Sequence, residues 1–136
     1  MAEQSYAESF NSNIKLVTRD LTRKFPSDAM AARLLKRINL AISMEPMMLI
    51  RLIGPKLYKY RDHIYSSDPA AAEFVLTHGF DEDISGSSAD DAEAASHFIP
   101  MVQQYLRTAQ PSEKKAYHQI VVKLLDDYIE YLSLQA

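Results

Sequence analysis

The chain has 136 residues, 47% of them hydrophobic, and carries 15 Lys and Arg against 18 Asp and Glu for a formal net charge of −3. That length allows about two-thirds of the unfolded surface to be buried in one domain, and the balance of apolar and mixed charged residues argues against global disorder. Cysteine is absent, which excludes disulfides, cysteine-based zinc sites and a thiol nucleophile.

The charge is unevenly spread. Residues 1–67 hold eleven bases and six acids, whereas the stretch from Asp68 to Glu93 holds eight carboxylates and no Lys or Arg. Residues 1–10 are polar and slightly acidic, without the basic start and apolar run of a signal peptide, so no secretion is expected. The longest apolar stretch, residues 47–53, is interrupted by Arg51 and closed by Gly54 and Pro55. It is far shorter than the roughly 20 residues of a membrane span. A soluble, intracellular (cytoplasmic) protein with no membrane contact is the expectation.

In chain order, Tyr6, Phe10, Ile14, Val17 and Leu21 recur at spacings of three and four, with Lys15, Arg19 and Arg23 on another face. This predicts an amphipathic helix ending at Phe25, because Pro26 disfavours helical geometry in the residue before it. Ser27 is the expected N-cap of a second helix. Its inward stripe is Met30, Leu34, Leu35, Ile38, Ala41 and Ile42, with Arg33, Lys36 and Arg37 sharing an exposed side.

Ser43 and Glu45-Pro46 signal a third helix, with Pro46 near its first turn. Residues 47–53 are apolar almost all round and are expected at the centre of the core. Gly54-Pro55 is expected to break or kink this helix, after which Leu57, Tyr60 and Ile64 form the inward stripe of a short helix carrying Lys56, Lys59 and Arg61. Ser67-Asp68-Pro69 opens a further helix over residues 70–77, anchored by Phe74 and stopped at Gly79.

Residues 80–91, acidic and containing Ser85-Gly86-Ser87-Ser88, read as a loop. Ser88, Asp90, Asp91 and Glu93 then suit the start of a helix presenting Ala95, Phe98, Ile99, Val102, Tyr105 and Leu106, with a kink at Pro100. A last helix begins near Pro111 with the clearest period in the chain: Tyr117, Ile120, Val121, Leu124, Leu125, Tyr128 and Leu132. No strand-length alternation and no internal repeat are visible. The fold class expected is all-α: a single compact bundle of five to six helices over residues 1–136, with an acidic loop around residues 80–91.

Chemistry is harder to find. Asp81, Asp83 and Ser85 with Gly86 match the first positions of a calcium-binding EF-hand loop, but position twelve falls on Ala92 and Glu93 comes one residue late. His63, His78, His97 and His118 show no metal-ligand spacing, and three isolated glycines form no phosphate loop. No catalytic residue, cofactor or metal ligand is nominated, and a non-enzyme is expected. Residues 56–61, Lys-Leu-Tyr-Lys-Tyr-Arg, interleave bases with aromatics as some nucleic-acid surfaces do. The helical stripe that Tyr60 shares with Leu57 and Ile64 and the overall pI of about 5.8 count against that use. Met44, Met47 and Met48 suit either an adaptable partner groove or core filling, and their spacing favours the core.

The chain also resembles small uncharacterised helical proteins of large DNA viruses, including those of algae. The likeness spans residues 10–76 and rests on Phe25-Pro26 followed by Asp28, Ile53-Gly54-Pro55, the pattern from Tyr60 to Ile64, and Asp68 followed by Glu73-Phe74. It implies an intracellular viral product, associated with the virion or acting in the infected cell, and carries over no catalytic residues.

The expected function is therefore non-enzymatic protein–protein interaction or assembly, with a protein partner or a second copy. Nucleic-acid association through the basic N-terminal half is the alternative. Lys15, Arg19, Arg23, Arg33 and Arg37 are the candidate basic contacts and Asp81, Glu82, Asp83, Asp90 and Asp91 the acidic ones, a polarity that would suit head-to-tail self-association.

Overall fold

The structure is a computed structural model that describes residues 2–66 and 100–135. Among the described residues every regular element is an α-helix and there is no strand: α1 (Ala2–Lys24), α2 (Ala29–Met44), α3 (Met48–Lys59), α4 (Arg61–Tyr65), α5 (helical residues 100–108) and α6 (Pro111–Gln135). The all-α expectation holds. The helix expected over residues 70–77, the acidic loop and the kinked start at Pro100 lie outside or at the edge of the described residues.

Helix α1 stops where Pro26 requires, and α2 begins on Asp28, whose carboxylate accepts from the Met30 and Ala31 N–H groups at 2.9 and 3.2 Å. The cap is thus Asp28 and not Ser27. Both residue types cap well, and the bond from the Asp28 N–H to the Phe25 carbonyl, 3.0 Å, sets the register. Helix α6 opens on Pro111, where a missing N–H leaves nothing unsatisfied, and the Gln110 carbonyl accepts from Glu113 and Lys114.

The long helices α1 and α6 form the main contact of the fold, with α2 and α3 against α1 and α3 also against α6. Two apolar clusters lie along this pair. Ala7 and Phe10 of α1, Leu49 and Ile50 of α3, and Leu124, Tyr128 and Tyr131 of α6 make the larger one. Leu21, Tyr105 and Tyr117 make the other, joining α1, α5 and α6.

Three sequence expectations are corrected here. Helix α3 runs through Gly54-Pro55 without ending, and the break falls at Tyr60. Glycine is required there by packing: Gly54 is buried under the Tyr128 ring, where a Cβ would stand 2.1 Å from ring carbon Cδ1. Residues 47–53 are central on one side only: Leu49 and Ile50 are buried in the larger cluster with Met47 and Ile53 packed against it, while Met48, Arg51 and Leu52 are exposed. Leu132 points outward, and Asp127 and Tyr131 take the buried places on α6.

Candidate functional site

Polar side chains tie the helices together, although the buried Oδ1 of Asn11 has no hydrogen-bond partner among the described residues. Asp127, only 1% exposed, accepts from Ser9 Oγ at 2.7 Å and pairs with Lys123 Nζ at 3.2 Å. Asn11 Nδ2 donates to the Pro46 carbonyl at 2.8 Å, fixing the α2–α3 turn on α1. Arg51 Nε donates to the Tyr131 hydroxyl at 2.9 Å, and that bond raises the guanidinium pKa. Helix α4 is held by Tyr65 donating to Asp126 at 2.6 Å and by His118 Nε2, which as an N–H donates to the Ile64 carbonyl at 2.6 Å.

A cavity of about 250 Å³ opens between α1, α5 and α6, lined in part by Val17, Asp20, Lys24, Tyr105, Glu113 and Tyr117. Its polar groups satisfy one another. Tyr117 donates to Asp20 and Tyr105 to Glu113, while Arg23 lies 3.4 Å from Asp20 and Lys24 3.7 Å from Glu113. Burial first, then the bond to Glu113, pushes the Tyr105 phenol up to about 12. Burial and Asp20 raise Tyr117 as well. Both phenols stay protonated at neutral pH, so neither is a base there. This is a joint between helices, with its donors and acceptors turned on each other.

The sequence-nominated bases fall on two helices. Lys15 is half-buried and Arg19 exposed on α1, and Arg23 is exposed but drawn to Asp20. On α2 Arg33 is exposed, its guanidinium 3.6 Å from Met30 Sδ, and Arg37 is half-buried. Asp81, Glu82, Asp83, Asp90 and Asp91 lie outside the described residues, as do His78, His97 and the stretch with partial EF-hand register. Among the described residues no three His, Asp or Glu side chains converge to hold a metal ion.

The feature that sequence reasoning missed is apolar and exposed. Leu40 and Met44 on α2 are 60% and 74% exposed, and Met48 and Leu52 on α3 are 37% and 46% exposed. Each pair is spaced i, i+4 on one helix face, and the two flank the turn that Asn11 anchors. Of the three methionines weighed between groove and core, Met47 packs against the larger cluster while Met44 and Met48 face outward. Helix α2 buries only Ala31 completely.

At the junction of α3 and α4 the interleaved bases and aromatics pair among themselves. The Arg61 guanidinium lies 4.3 Å over the Tyr58 ring and Lys59 Nζ 5.3 Å over Tyr60. Among the described residues no helix is long and apolar enough to cross a membrane. Comparison with protein-family models, with curated proteins and with solved structures found no match.

Proposed function

We propose that the chain is a non-enzymatic protein–protein interaction or assembly module, in which apolar contact supplies affinity and charge sets orientation. The observation that carries this reading is the exposure of Leu40, Met44, Met48 and Leu52 around one turn. Single exposed apolar residues are ordinary, but two i, i+4 pairs on neighbouring helices mark a place that gains by being covered. The virion or infected cell is the setting that the viral resemblance implies, and it rests on sequence layout alone. Light scattering over a concentration and salt series tests the self-assembly form of the proposal: a dimer or larger species weakening as ionic strength rises is expected. A monomer at every concentration and salt would end it.

Nucleic-acid association is the second reading, favoured by the basic and aromatic residues gathered at the α3–α4 junction. It is the weaker one because Arg61 already covers a face of Tyr58 that a base would need for stacking. Retention on heparin and DNA binding at low and physiological salt, lost on charge reversal at Arg33 and Arg37, would promote it.

A further inference from the structure

The exposed side of α2 has an order to it. At 100° per residue, Arg33, Arg37, Leu40 and Met44 fall within one stripe about 60° wide. The bases occupy its N-terminal half. The last turn has none, and Asp and Glu are absent from the whole helix. Just past the last turn stands Glu45, exposed. The stripe therefore runs from positive to apolar; Glu45 stands beyond its end and about 80° to one side by the same count, with Oε1 accepting from the Met47 N–H at 3.1 Å.

We propose that this stripe pairs antiparallel with the same stripe of a second copy, about a two-fold axis level with Ile42. The inference rests on the interaction reading above and names its occupant. In that register Leu40 of each copy meets Met44 of the partner subunit, so the most exposed apolar groups cover each other. With a rise of 1.5 Å per residue, Arg37 and the partner subunit's Glu45 lie about 3 Å apart along the axis, within reach of two long side chains. Parallel pairing would set Arg33 and Arg37 against their own copies. Antiparallel pairing sets each basic half against the partner's neutral end and its carboxylate, and charge therefore selects the orientation. A closed two-fold contact of this kind is the commonest form of self-association.

The size of the patch fixes the strength. Leu40 and Met44, 60% and 74% exposed, offer on the order of 250 Å² per protomer, about a third of what one side of a stable interface covers. Association is accordingly weak, and is to be sought at about 1 mM chain.

The absence of cysteine makes crosslinking a clean test. Ser43, exposed beside the stripe, and Ser112, exposed at the start of α6, are each replaced by Cys in the full chain, and disulfide-linked dimer is followed under mild oxidation. Ser43→Cys is expected to crosslink about ten-fold faster than Ser112→Cys, because pairing raises the effective concentration of its thiols. Adding Leu40→Glu should reduce the rate to that of Ser112→Cys. Adding Arg37→Glu should slow it, and further adding Glu45→Arg should restore it; circular dichroism confirms that each variant is folded. Equal rates for the two cysteines where light scattering detects association would mean that another face is used: this pairing falls and the interaction reading stands. Equal rates with no association at about 1 mM remove this pairing together with the self-assembly form of the interaction reading.

Discussion

Gly54→Ala asks whether α3 carries glycine at this point because a ring lies on it. In an exposed helix the change is favourable by about 1 kcal/mol, since Ala is the better helix former. Here the new methyl would stand 2.1 Å from Cδ1 of Tyr128 and 2.6 Å from Cε1 and Cγ, whereas ordinary contact begins at 3.4 Å. The ring must retreat by about 1.3 Å. It is buried, set edge-on to Tyr58 at 6.3 Å and stacked on Tyr131 at 6.5 Å, so the displacement passes into the larger apolar cluster. Overpacking of this kind costs about 1–3 kcal/mol, which matches or exceeds the propensity gain and leaves a net loss of about 0–2 kcal/mol. Urea unfolding followed by far-UV circular dichroism measures it. The same substitution in a Tyr128→Ala background should change sign and stabilise by about 0.5–1 kcal/mol, because the obstructing ring is gone. A chain of 136 residues has roughly 7–20 kcal/mol in hand, so the loss of about 3–5 kcal/mol from Tyr128→Ala leaves a folded reference. A Gly54→Ala protein more stable than the parent, or equal effects in the two backgrounds, would refute the packing account.

Two further predictions concern the polar joints. Asp127→Asn keeps an acceptor for Ser9 and loses only the charge facing Lys123, so a cost of about 1 kcal/mol is expected, against about 2–3 kcal/mol for Asp127→Ala, which strands the Ser9 hydroxyl; equal costs would show that the hydrogen bond contributes nothing. The raised phenols of Tyr105, at about 12, and Tyr117 favour the protonated form in the folded state. Their stabilisation is complete below the unfolded value of about 10 and is lost as pH climbs through the folded one, at on the order of 1 kcal/mol per pH unit for each group. Urea midpoints measured from pH 9 to 12 should therefore fall less steeply for Tyr117→Phe than for the parent, and parallel curves would contradict the assignment.

Helix existence was legible wherever the signal was local. The period in α1 and α6, the stop at Pro26 and the start at Pro111 need only neighbouring residues to be recognised, and each is where the sequence places it. Failures came where a distant residue decides. Gly54-Pro55 carries a strong local breaker signal, yet a ring 74 positions along the chain occupies the space that a side chain would fill. Asp127 carries no local sign of burial, and only Ser9, 118 residues away, makes its burial intelligible. Tyr131 is the exception that local reasoning had the means to find, because it continues the spacing of Leu124 and Tyr128 by one further turn.

The candidate surface was half visible for a related reason. Periodicity gives α2 an inward stripe of Met30, Leu34, Leu35, Ile38, Ala41 and Ile42; Ala31 is the most buried residue of the helix, and the larger members of the stripe are at least half-covered. Leu40 stands 200° from Ile38 on that wheel, too far round to share the stripe. An apolar side chain out of phase with the buried face of its own helix has only two physical fates, exposure or burial by something outside the helix's first packing layer. Charge counting points to the bases of α1 and α2 and to the acids of residues 81–91, but charged side chains are solvated in most proteins and so carry little information. The out-of-phase leucine carried more, because water disfavours it and a partner removes that penalty. Leu40→Glu separates the two kinds of signal: it leaves every base in place, removes the apolar contact, and should abolish association that a purely electrostatic contact would retain.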